Sequence, residues 1–123
     1  VSENFLYYLT AEENFTIELI NDMLILNVTS KVAHRIEQEW KNWTREVWIP
    51  KMLATGLFGD FRFCKLREND DEEGRMYVVQ MYCDSEENYQ TFLKEHDEVI
   101  RQEAYAQFGD AFIAFRTVME TLH

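Results

Sequence analysis

The chain has 123 residues, enough for one domain whose core needs neither disulfides nor metal. Hydrophobic residues make up 46% of it and aromatics 15%, a composition that excludes a disordered chain. Against 23 Asp and Glu stand only 12 Lys and Arg, and the formal charge of −11 repels phosphate backbones and anionic membranes, so no nucleic acid and no membrane is expected as a partner.

Residues 1–22 differ in character from the rest of the chain. Phe5 to Leu9 form an apolar cluster, and Phe15, Ile17 and Leu19 alternate with polar residues as in a strand. Asn21-Asp22 would fold that strand back onto the next as a hairpin. Alternatively these residues are an extension, or a start site assigned too early, ahead of a domain over residues 23–123 that opens at Met23. No basic stretch precedes an apolar one as in a signal peptide, and no run reaches the roughly 20 apolar residues of a membrane span. Cys64 and Cys83 form no C-x-x-C pair and read as free thiols, so a cytoplasmic location is expected.

M-L-I-L-N-V-T at 23–29 is a strand by composition, with Ser30 as the N-cap of a helix. Val32, Ile36, Trp40, Trp43 and Val47 form the apolar stripe of that helix. Pro50 lacks an N–H and should end or kink it, leaving one more turn over 51–54 and a left-handed stop at Gly56. Phe58 to Leu66 is the second strand, Arg67 to Gly74 an acidic hairpin connection, and Arg75 to Cys83 the third strand. With Leu66 opposite Arg75, Cys64 faces Tyr77 and Cys83 faces Phe58. Ser85 caps a second helix whose stripe is Tyr89, Phe92, Leu93, His96, Val99, Ile100, Ala104 and Phe108, and Gly109 ends it. Ala111 to Leu122 is the last strand. The order predicts an α+β, ferredoxin-like βαββαβ fold: a four-stranded antiparallel sheet with two helices on one face.

Alternation divides each strand into two faces. Leu24, Leu26 and Val28, with Tyr77, Val79, Met81 and Cys83, are assigned to the helices, as are Ile113, Phe115, Thr117 and Met119. The other face then mixes Asn27, Gln80 and Arg116 with Val78, Tyr82, Phe112 and Val118, and takes Phe61 and Phe63 unless a bulge flips them. An uncovered face of this kind is too apolar for a soluble monomer, so a homodimer packed sheet to sheet is expected. Asn27, Gln80 and Arg116 converge on that face, and Arg116 would hold an anionic or carbonyl group in an aromatic-lined cavity. Trp48, beside the helix break, suits the rim of a pocket. His96 lies on a helix stripe, where a histidine satisfied by its surroundings competes with a pocket group. The candidate ligand-binding residues are therefore Asn27, Trp48, Gln80, His96 and Arg116, around a small, partly apolar molecule between sheet and helices. The histidines make no metal-ligand spacing and the four glycines are dispersed, so no metal and no cofactor is expected.

Several segments together, M-L-I-L-N-V-T, W-K-N-W, W-I-P-K-M-L-A-T-G-L-F, V-V-Q-M-Y and F-G-D-A-F-I-A-F-R-T-V-M-E, resemble a small bacterial family catalogued as a domain of unknown function. That family is similar to the dimeric α/β barrels, which include antibiotic-biosynthesis monooxygenases. The resemblance covers residues 23–123 and implies a ferredoxin-like subunit, a homodimer and no established activity. Many members carry H-I-P where this chain has Trp48-Ile49-Pro50. Two functions stand: a dimer without catalysis that binds a small, partly apolar molecule or serves a structural role, and a cofactor-independent oxygenase or isomerase. Arg116 is no base at neutral pH, which favours the first.

Overall fold

The computed structural model describes residues 23–68 and 70–122, so the expectations for residues 1–22 lie outside it. Four strands, β1 (Leu24–Val32), β2 (Asp60–Lys65), β3 (Arg75–Cys83) and β4 (Phe112–Glu120), form one sheet in the order β2-β3-β1-β4. Every pairing is antiparallel. The helices come in two groups. The first runs through α1 (Glu37–Trp43), a π-turn at Thr44–Trp48 and α2 (Ile49–Ala54). The second is α3 (Glu86–Glu95) followed by α4 (Asp97–Phe108). The architecture is the expected α+β βαββαβ fold.

Local chemistry explains most boundaries. The Ser85 hydroxyl accepts from the Asn88 N–H at 3.1 Å and starts α3, where Glu86 and Glu87 favour the positive end of the helix. Gly56 takes φ 77° and stops α2, a conformation that costs a side chain with a Cβ. Ser30 is not the helix cap that its sequence position suggests. β1 is paired on both sides through Val32, and this ladder carries the strand past Ser30, which is buried opposite Tyr77 and Ala114. The helix follows only after a 3₁₀ turn at His34–Ile36.

Pro50 neither ends nor sharply breaks the first helix. The chain stays helical through a wide turn in which the Ile49 N–H reaches the Thr44 carbonyl. That wide turn lets Pro50 enter at the start of α2, where a missing N–H costs least. It also rotates the buried face. Val47, expected on the stripe, is 40% exposed, while Thr44 and Ile49 are buried.

Two strands sit one residue away from their expected faces. In the β2–β3 hairpin Phe61 faces Met81, Phe63 faces Val79 and Cys64 faces Val78. A slip of one residue exchanges the faces of a strand, so Phe61 and Phe63 pack towards the helices, not on the open face. In β4, Arg116 pairs with Val28 and Val118 with Leu26, which puts Phe112, Ala114, Arg116 and Val118 on the helix side. Ile113, Phe115, Thr117 and Met119 occupy the open face.

The core has two parts. One gathers Leu24, Leu26, Met81, Ile49, Met52, Phe58 and Phe92. The other gathers Val32, Ile36, Trp40, Tyr77 and Phe108. Phe58 meets Phe92 edge to face at 5.0 Å, and Trp40 meets Tyr77 at 5.3 Å. The helices cover β1 and β3 well, but β4 is an edge strand and its helix side is half open.

Candidate functional site

Between the two parts of the core the helices stand off the sheet and leave a cavity of about 580 Å³. Its floor is Val28 and Ser30 of β1, Val79 of β3 and Phe112, Ala114 and Arg116 of β4. Its walls are Trp40, Trp43, Thr44 and Trp48 on one side and Arg101, Ala104 and Tyr105 on the other. All three tryptophans thus meet one space, because the π-turn inserts one extra residue between Trp43 and Trp48 and brings both round to it.

Thr44 is the unusual residue of this wall. It is 2% exposed, and its hydroxyl has no hydrogen-bond partner among the described residues. A helical threonine commonly bonds back to a carbonyl one turn earlier. A buried hydroxyl left alone costs about 1–3 kcal/mol. One χ1 rotation exchanges the positions of its methyl and hydroxyl.

The charged end is built on Asp97. This carboxylate is buried, and it accepts from Arg116 at one oxygen and meets the Arg101 Nε at 3.3 Å at the other. The break between α3 and α4 at His96, with φ −128° and ψ −31°, places Asp97 at the start of α4 facing the sheet. Arg116 closes the row Phe63–Val79–Val28–Arg116 across the helix side of the sheet, at the one end where the helices do not seal it.

The five sequence-derived site residues do not meet in one place. Trp48 and Arg116 line the cavity. His96 faces a separate surface hollow beside Lys51, Thr55 and Glu103. Asn27 and Gln80 lie on the other side of the sheet from Arg116, because β4 shows the face opposite to the one expected. There they form a polar string: Tyr82 donates to Gln80 at 3.1 Å, Gln80 to Asn27 at 3.2 Å and Asn27 to Thr29 at 3.2 Å. The sequence reading missed Asp97, Thr44 and Ser30. Asp97 carried a usable signal, since it is an acid one residue past a stripe position, with Arg101 four residues on.

A second ionic cluster lies outside the cavity. Glu37 accepts from the Tyr77 hydroxyl and from Arg75, at 3.4 Å for the latter. The bond from Tyr77 and the charge of Arg75 hold the Glu37 carboxyl below its usual 4.5, while burial and that same bond push Tyr77 up to about 12. Among the described residues no group of His, Cys, Asp and Glu is arranged to hold a metal ion, and no helix is long and apolar enough to cross a membrane.

Residues 23–122 match the family model described as Domain of unknown function (DUF4286). No curated protein matches the chain. Among solved structures, a dimeric ferredoxin-like protein from an uncultured marine organism matches with TM-score 0.63 at 9% identity, over 83% of this chain and 97% of its own. SnoaB, a cofactor-independent oxygenase from Streptomyces nogalater, matches with TM-score 0.58 at 12% identity, over 81% of this chain and 94% of its own. A de novo designed protein also matches, with TM-score 0.55 at 9% identity, over 82% of this chain and 100% of its own. An oxygenase and a designed chain on one backbone show that this likeness speaks for the fold alone.

Proposed function

The chain belongs to the DUF4286 family, and we propose that it is a homodimer, joined through its open sheet face, that binds a small and largely apolar molecule between helices and sheet. The cavity supports the binding half of this reading. It has the volume of a small-molecule site, three indoles in its walls and few polar groups. Of the candidate residues, Trp48 and Arg116 are the ligand contacts we retain.

The open sheet face supports the dimer. Ile113 and Phe115 are each 57% exposed there, beside half-buried Ile25, Val78, Tyr82 and Met119. Its polar string from Tyr82 to Thr29 is bonded within the sheet, so a second sheet covering it would have to meet only the second amide N–H of Gln80 and of Asn27 and the Thr29 hydroxyl. One structural neighbour is described as dimeric. Free cysteines and an acidic chain suit a cytoplasmic protein.

The likeness to a cofactor-independent oxygenase favours a second function, catalysis in the same cavity. The cavity lining holds no histidine, cysteine or lysine among the described residues; of the two acids, Asp97 is tied to two guanidiniums and Asp110 is exposed to water rather than enclosed with a ligand. A base must be free to take a proton. Binding without catalysis is therefore the reading we favour. Native mass spectrometry on protein purified without denaturant tests both halves. Twice the subunit mass with a reproducible added mass is the expected result. A monomer would overturn the dimer. An empty protein that also takes up no apolar probe would overturn the binding site.

A further inference from the structure

Resting on that binding reading, we infer that the molecule held in the cavity is a planar aromatic acid, with its anionic oxygen at the Arg101–Asp97–Arg116 end. The walls select the flat body. Trp40, Trp43 and Trp48 present three indoles to one space, and Phe112 adds a fourth ring at the floor. Trp40 and Trp43 are fixed from behind by ring contacts to Tyr77 at 5.3 Å and Phe108 at 5.4 Å. A rigid aromatic slot favours a ligand that loses little freedom on entering it.

The charged end selects the sign. Both oxygens of Asp97 are engaged, one by Arg116 and one by Arg101. A guanidinium carries five N–H groups and no lone pair, so the remaining donors of both arginines ask for an acceptor and have no use for a ligand N–H. Two cations share the one buried carboxylate at that wall, so neither guanidinium has it to itself. Arg101 and the other acid at the cavity, Asp110, are both exposed, where water and salt screen them, so the less exposed Arg116 is the cation that acts most on a ligand. In a chain with 12 Lys and Arg against 23 Asp and Glu, two arginines beside two acids, Asp97 and Asp110, make this cavity less acidic than the chain as a whole.

The test uses the full chain and three naphthyl probes of nearly equal size: 2-naphthoate, naphthalene-2-methanol and 2-naphthylmethylammonium. Binding is followed by equilibrium dialysis, reading the fluorescence of the free probe. We expect naphthoate to bind about ten-fold tighter than the ammonium, the alcohol lying between. Arg101→Gln removes one of two partners of the buried Asp97, so a modest fall in melting temperature is expected, and in the variant that remains folded the naphthoate preference is expected to narrow. If all three probes bind alike, or the ammonium binds best, the acid class is overturned while the cavity stands as an apolar site. If none binds, the binding reading falls and this inference falls with it.

Discussion

Thr44→Val is the substitution whose sign is least intuitive. It replaces a buried hydroxyl by a methyl of nearly equal size on a helical turn, and the two residues have similar helix propensity. Thr44 is 2% exposed, and its hydroxyl bonds to nothing among the described residues. The folded protein therefore carries a desolvation cost of about 1–3 kcal/mol that the unfolded chain, hydrated at this position, does not. Valine removes that cost and adds apolar burial of up to about 1 kcal/mol, less whatever strain the methyl meets. The expected net is a gain of about 1–2 kcal/mol, a rise in melting temperature of roughly 3–8 °C. Calorimetry on the ligand-free protein measures it, and the acid probe supplies a second arm. If Thr44 is held in reserve for a ligand, the variant is more stable when empty and binds more weakly. A melting temperature lowered by several degrees would show that the hydroxyl is bonded in the folded state, and would refute the account of Thr44 as an orphan.

Three other perturbations are similarly specific. Phe115→Asp places a charge on the open face where Phe115 is 57% exposed; burying that ring is worth about 2–3 kcal/mol per copy, and two-fold symmetry doubles it, so sedimentation at micromolar concentration is expected to show monomer. Gly74→Ala would bring a Cβ within 2.8 Å of the Val32 carbonyl carbon, in the backbone of β1, and urea titration is expected to show a loss of at least about 2 kcal/mol. Glu37→Gln tests the Tyr77 and Arg75 contacts. Because the folded carboxyl titrates below its usual 4.5, its stabilisation is present above that pH and is lost as the pH falls through the folded value. The variant is therefore expected to melt several degrees lower than the parent at pH 7, with the gap closing in acid, and a gap independent of pH would refute the charge-based account.

The element order was legible because each element carries its own punctuation. Gly56, Ser85 and Gly109 mark helix ends whose chemistry is local, and the stripe through Ile36 and Trp40 has a single period. What the sequence hid is relative registration. The connection from Arg67 to Gly74 can close a hairpin in either of two registers one residue apart, and nothing in its charges selects between them. A register with Cys64 opposite Tyr77 puts Phe61 and Phe63 on the open face, and the observed pairing of Cys64 with Val78 puts them under the helices.

β4 misleads for a different reason, and that reason bears on function. Its two faces are almost equally apolar, so Arg116 decides the assignment, and the rule that polar residues face outward sends it away from the helices. The rule assumes that the helix side is sealed and the other side is wet. Here neither holds fully. The helix side opens into a cavity, where Arg116 has Asp97 for a partner, and the open side carries Ile113 and Phe115. A strand that breaks the pattern on both faces at once is expected where one face serves a ligand and the other a partner sheet, since each then escapes the constraint that sets ordinary patterning. The same logic applies to Trp48. Thr44, four residues after Trp40, shares its face by ordinary helical spacing; the same period places Val47 inside as well, and the extra residue of the π-turn exchanges Val47 for Trp48. The local violations of pattern in this chain therefore fall around one cavity, which is why that cavity, and not the polar string on the open face, is where a ligand should be sought.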